Sequence, residues 1–95
     1  MFSRSPYRFS SFKSYTGDGT SQAFLAADIV GMSSAHITIE TAAVQVRFDS
    51  GNAATDGHQI AVGESLTLEG HENLVQFRYS QAGVLKVSFA VDVAV

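Results

Sequence analysis

Three histidines and nine acidic residues are the side chains most able to hold a metal, because the chain contains no cysteine. His58 and His71 stand in the same stretch of sequence as Asp56, Glu69 and Glu72, and imidazole nitrogens with carboxylate oxygens make a donor set suited to zinc. None of them has the His-Glu-x-x-His spacing that sets two imidazoles on one helix face. Both histidines are therefore expected in turns or on the surface, with no metal and no cofactor. The segment Asp49-Ser50-Gly51-Asn52-Ala53-Ala54-Thr55-Asp56-Gly57 has the acidic and glycine content of a calcium loop. Gly51 and Ala53 stand where an EF-hand needs oxygen-bearing side chains, and its bidentate Glu is missing. A β-loop held by Asx turns is the expectation.

Catalytic chemistry fares no better. Serine hydrolases place the nucleophile on a strained turn beside an oxyanion hole, and the chain has no Gly-x-Ser-x-Gly. Glu69 and Glu72 are a carboxylate pair of the type a glycosidase uses. A sandwich of this size has little room for a deep cleft, however, and without Trp it lacks the best sugar-stacking surface. Gly17-Asp18-Gly19 precedes no helical pattern, so it is no phosphate loop. No catalytic residue is assigned, and the chain is not expected to be an enzyme.

Ninety-five residues, 45% hydrophobic and 16% charged, make one domain with a charged fraction well below the usual ~25%. Its surface must be covered largely by Ser, Thr, Gln, Asn and small residues, which suits contact surfaces. No run approaches the ~18 apolar residues of a membrane helix, and Met1 to Tyr15 lacks the continuous apolar stretch of a signal peptide. A soluble protein made in the cytoplasm, with no membrane partner, is the expectation.

From Ala35 onward the chain reads as strands between turns. Ala35, Ile37 and Ile39 alternate with polar residues, as do Val44, Val46 and Phe48. Ile60 and Val62 give a short third strand, Leu66 and Leu68 a fourth ending at Gly70, and Val75, Phe77 and Tyr79 a fifth. Leu85, Val87, Phe89, Val91, Val93 and Val95 line one face of the last. Tyr7 to Tyr15 and Gln22 to Leu25 are weaker strands around the Gly17-Asp18-Gly19 turn, and Phe24 to Val30 allows one helical turn at most. The fold class this implies is all-β: a small antiparallel β-sandwich, jelly-roll- or Ig-like, of six to eight strands with an extended N-terminal arm. Its core should hold Phe48, Ile60, Leu66, Val75 and Phe77 with the other inward residues, and Arg47, Arg78 and Lys86 should face outward opposite acids such as Glu40 or Glu69.

Residues 1–15 are a segment apart, an arm or a first strand, with the sandwich domain at 16–95. Arg4, Arg8 and Lys13 give the first thirteen residues a charge of +3 against −6 for the remainder. Phe2, Tyr7, Phe9 and Phe12 are spaced there by serines, a mixture of aromatic anchors and polar spacers typical of contact segments. Nucleic acid is an unlikely partner for so few positive charges on an acidic body. The terminal strand from Val84 could reach roughly 40 Å, whereas a compact chain of this length is about 30 Å across. Its end should therefore leave the domain and pair with a neighbour. The expected interface is Phe2, Arg4, Tyr7, Arg8, Phe9, Phe12, Val91, Val93 and Val95.

The punctuation of Val44 to Phe89 also carries a resemblance. Val46-Arg47-Phe48-Asp49 and its small-residue loop, Gly57-His58-Gln59-Ile60, Val62-Gly63-Glu64-Ser65-Leu66-Thr67-Leu68-Glu69, Asn73-Leu74-Val75-Gln76-Phe77-Arg78 and Leu85-Lys86-Val87-Ser88-Phe89 resemble small proteins encoded among the virion genes of tailed bacteriophages. This sequence departs from them in having Asp49-Ser50-Gly51 where they have a direct Asp-Gly, and in lacking proline in the loop; the first thirty residues lie outside the match. The resemblance implies a structural virion component: a capsid cement or decoration protein stabilising contacts between capsomers, or a neck or tail subunit. It implies the virion as location, the major capsid protein or other virion subunits as partners, and a homo-oligomer, a trimer first. A receptor- or glycan-binding module is the alternative; it would need an exposed aromatic platform, and Tyr7, Tyr15 and Tyr79 are the residues available to build one.

Overall fold

The alternating apolar residues become the facing surfaces of two sheets. A computed structural model describes residues 7–81 and 83–92, which form a small antiparallel β-sandwich. In chain order its elements are β1 (Tyr7–Thr16), α1 (Ala26–Ile29), β2 (Ser34–Glu40), β3 (Val44–Arg47), β4 (His58–Ile60), β5 (Ser65–Glu69), α2 (His71–Gln76), β6 (Arg78–Ser80) and β7 (Val84–Asp92). The larger sheet runs β1-β7-β2-β5 and the smaller β4-β3-β6. β2 and β3, though adjacent in sequence, lie in different sheets: at Thr41, held at φ 75°, the chain crosses from one layer to the other. Gly17 makes another close approach, for a Cβ there would overlap the Gln81 carbonyl while its N–H donates to the Gly83 carbonyl at 3.0 Å.

Ala35, Ile37 and Ile39 of β2 and Leu85, Val87 and Phe89 of β7 are fully buried, and Val44, Val46 and Tyr79 meet them from the smaller sheet. The opposite faces of β7 and β2 carry Ser88, Lys86, His36 and Thr38 in register. This is the period-two pattern expected of half-buried strands. The molecule measures 43 × 24 × 18 Å, longer than a compact chain would be. β7 accounts for part of that length: it pairs with β2 only as far as Ala90↔Ser34, while Val91 and Asp92 pair with Arg8 and Tyr7 of β1.

Several expectations need correction. Of the two readings of the N-terminal segment, residues 7–16 follow the first-strand one and not the extended arm: they are an edge strand paired with β7 along its length. Val75 and Phe77 do not share a strand, because His71–Gln76 is helical and Phe77 is its C-cap. A strand with Val75 and Phe77 inward would turn Leu74 to solvent; the helix buries Leu74 completely and leaves Val75 43% exposed. Phe48 follows the last residue of β3 and is 41% exposed, while Ile60 and Leu66 are only partly buried against the core. Val62 lies in the turn after β4 and is exposed. Gln22 contributes a single bridge, to Tyr79, in place of a strand.

These placements separate two neighbouring residues sharply. Phe77→Ala should cost about 3–5 kcal/mol, the usual loss for emptying a buried aromatic site. Val75→Ser should stay within about 1 kcal/mol, because its side chain is already partly exposed to solvent. Urea unfolding of both variants measures the difference, and equal losses would contradict the helix at 71–76.

Candidate functional site

β1 carries the exposed aromatics. In a regular strand Phe9 and Phe12, three residues apart, would point to opposite faces. The register of β1 against β7 shifts between Phe9 and Ser11, and this β-bulge returns both rings to one face. Phe9 lies opposite Ala90 and Phe12 opposite Ser88, on the outside of the larger sheet, and they are 68% and 59% exposed. The other face of β1 is anchored. The Tyr15 hydroxyl donates to Asp28 Oδ2 at 2.7 Å, and Lys13 Nζ approaches Asp28 Oδ1 at 3.8 Å. Burial, the bond to Asp28 and that residue's charge hold the Tyr15 proton far above the usual phenol range.

Of the expected interface, Arg8, Phe9 and Phe12 are exposed along this strand, Val91 is half-buried opposite Arg8, and Tyr7 pairs through its backbone with Asp92. Phe2, Arg4, Val93 and Val95 lie outside the described residues. Sequence reasoning missed a second apolar surface. Leu25 and Val30, flanking α1, are 64% and 71% exposed. A groove of about 430 Å³ lined by Phe24, Ile29, Val30 and Val75 opens between α1 and α2. The segment between α1 and β2 is tied down nearby: the Ser33 N–H donates to the Ala90 carbonyl at 2.8 Å, and the Gly70 N–H donates to the Ser33 carbonyl. The available signal was the adjacent apolar pair Leu74-Val75, which fits a helix better than an alternating strand.

The loop after β3 is organised by Arg47. Its Nε and Nη2 donate to the two Asp49 carboxylate oxygens at 3.0 and 2.6 Å, a bidentate fork. Nη1 donates to the Asp56 carbonyl at 3.3 Å and lies 3.6 Å from the Asp56 carboxylate. The Gly51 N–H donates to Asp49 Oδ1 and the Ala54 N–H to Asn52 Oδ1, which are Asx turns. A Cβ at Gly51 would come within 2.6 Å of Arg47 Nε, so a larger residue there would push the guanidinium aside. The loop folds back over β6, where the Ser80 hydroxyl donates to the Ala53 carbonyl at 2.9 Å. Arg47 thus faces its own loop and not Glu40 or Glu69, and Arg78 donates to the Val75 and Phe77 carbonyls instead of an acid.

Arg47, Phe48, Asp49, Asp56 and His58 line a groove of about 460 Å³. Its two carboxylates are turned toward the guanidinium, so they form no anionic cage. His58 lies against Phe48, ring centres 5.8 Å apart. His71 is elsewhere, its Nδ1 2.9 Å from the Met32 carbonyl, and the structure does not bring the two histidines together. Among the described residues no group of three His, Asp or Glu side chains is placed to hold a metal ion, and no helix is long and apolar enough to cross a membrane. Tyr15 and Tyr79 are buried, so neither is available to an exposed aromatic platform.

No family model, curated protein or solved structure matches this chain.

The Arg47 fork makes a testable electrostatic statement. Hydrogen bonds from Arg47, then from the Gly51 N–H, lower the Asp49 carboxyl from 3.8 to about 2. A carboxyl depressed in the folded state contributes stability above its unfolded value and loses it as pH falls through the folded one. Loop order should therefore persist at pH 4 and fail toward pH 2. An NMR titration of Asp49 should show this low midpoint, and Arg47→Gln should move it back toward 3.8. An unchanged midpoint in the variant would contradict the fork.

Proposed function

We propose that this chain is a structural subunit of a tailed-bacteriophage virion, most directly a capsid cement or decoration protein that stabilises contacts between capsomers. It acts by association and not by catalysis. The observation that carries the reading is the exposure of Phe9 and Phe12 on one face of an edge strand, where the bulge holds two large rings toward solvent. Aromatic anchors flanked by a cation, here Arg8, are the residue types that dominate protein interfaces. The Leu25-Val30-Val75 surface adds further exposed apolar area, and contiguous patches of that kind mark contact sites. The resemblance of its turn punctuation to that of small phage virion proteins points to the major capsid protein or a neighbouring virion subunit as the partner.

The double variant Phe9→Ser/Phe12→Ser tests this without disturbing the core, since both rings are exposed. The variant should keep its thermal midpoint within a few degrees. It should lose co-sedimentation with capsids of the encoding phage at fixed salt. Binding equal to that of the parent chain, or absence of the protein from purified particles, would contradict the reading.

A further inference from the structure

The larger sheet ends in two open strands that differ in charge. Among the described residues, β1 at one side pairs with β7 and no other strand, and β5 at the other pairs with β2 alone. Along β1 the charged side chains are Arg8 and Lys13, both exposed. From Glu64 to Glu72 they are Glu64, Glu69 and Glu72, all exposed, with no Lys or Arg among them. An edge strand offers a row of backbone N–H and C=O groups to a chain of matching polarity. Asn73 already holds the Glu69 carbonyl at 2.6 Å, which leaves the stretch from Ser65 to Leu68.

Strand direction selects the partner. Every step in β1-β7-β2-β5 is antiparallel, so β1 and β5 run in opposite senses. A second copy that adds its β5 beside β1 continues the alternation. Pairing β1 with β1 gathers four cations, and pairing β5 with β5 gathers glutamates; like charges facing each other across strands are unfavourable.

We propose that copies of this chain associate head to tail, β1 of one adding to β5 of the next, so that the four-stranded sheet runs on across the subunit boundary. This inference rests on the reading of the chain as an assembly subunit and names its first partner as a second copy. A register with Lys13 opposite Glu64 of the partner subunit brings Arg8, after the bulge in β1, opposite Leu68 of the partner subunit and next along the strand to Glu69 of the partner subunit. Such a contact uses a different surface on each copy and therefore closes into a ring or propagates.

The test is self-association of the full chain, followed by sedimentation velocity across concentration and salt. Two edge variants are built to spare the fold. Arg8→Glu/Lys13→Gln avoids setting a new carboxylate beside Asp28, and Glu64→Gln/Glu69→Lys keeps the side-chain oxygen that accepts the Ala61 N–H at 2.8 Å. Each alone should weaken association by about tenfold or more, and the two combined in one chain should recover most of it. Circular dichroism and the thermal midpoint report whether each variant is folded; if either is not, Arg8→Glu and Glu69→Lys alone and together repeat the comparison. Association unaffected by the β5-edge changes, or a folded combined variant that stays as weak as its parents, would overturn the proposal. A parent chain that stays monomeric yet co-sediments with capsids would overturn it too while leaving the assembly role standing, whereas a monomer that binds no capsid would remove both.

Discussion

Two sheets with no strand in common share one core, in which a cluster of aromatic rings packs beside the aliphatic residues of both sheets. Phe24, in the segment between β1 and α1, packs 5.2 Å from Tyr15 of β1, 5.1 Å from Phe77 at the end of α2 and 5.2 Å from Phe89 of β7, the last edge-on. Tyr79 of β6 closes the group at 6.1 Å from Tyr15 and 6.3 Å from Phe77. Offset and edge-to-face contacts of this kind add to the burial energy of the rings themselves. A 95-residue chain without disulfides depends on such packing, because its surface-to-volume ratio leaves little else. The cluster also fixes the edge strand: with Tyr15 locked in it and bonded to Asp28, the rest of β1 is presented as a rigid extension of the sheet.

That rigidity changes the meaning of the N-terminal residues. An arm ordered only by its partner loses conformational entropy on binding, whereas a strand already paired with β7 presents Phe9 and Phe12 in fixed positions and loses less. The bulge near Ser10 is the local device that makes them neighbours. The cationic edge, the two rings and the apolar groove between α1 and α2 together leave much of the exposed apolar surface away from the Arg47 loop, whose polar groups bond to one another and to neighbouring segments such as Ser80 of β6.

The sandwich was legible in the sequence because most of its strands obey a strict period of two. Ala35-Ile37-Ile39 and Leu85-Val87-Phe89 point inward as that period requires, and Gly63 turns the chain into β5 as its position suggested. Two features were hidden for physical reasons. Val75, Phe77 and Tyr79 keep strand spacing by coincidence, while Gly70 at φ 96° and Glu72 in the first turn start a helix. Pairing between sheets is not encoded in periodicity at all, so nothing in Ala35 to Phe48 reveals that β2 and β3 part company at Thr41. Of the candidate interface, residue types identified Phe9 and Phe12, but their common face depends on a register shift visible only in three dimensions.

The account rests on what covers those two rings in the assembled state. A side-chain-resolution reconstruction of the virion would show it directly. The account predicts Phe9 and Phe12 buried against another subunit, with β1 lying at a subunit boundary. Both rings facing solvent in the mature particle would contradict it.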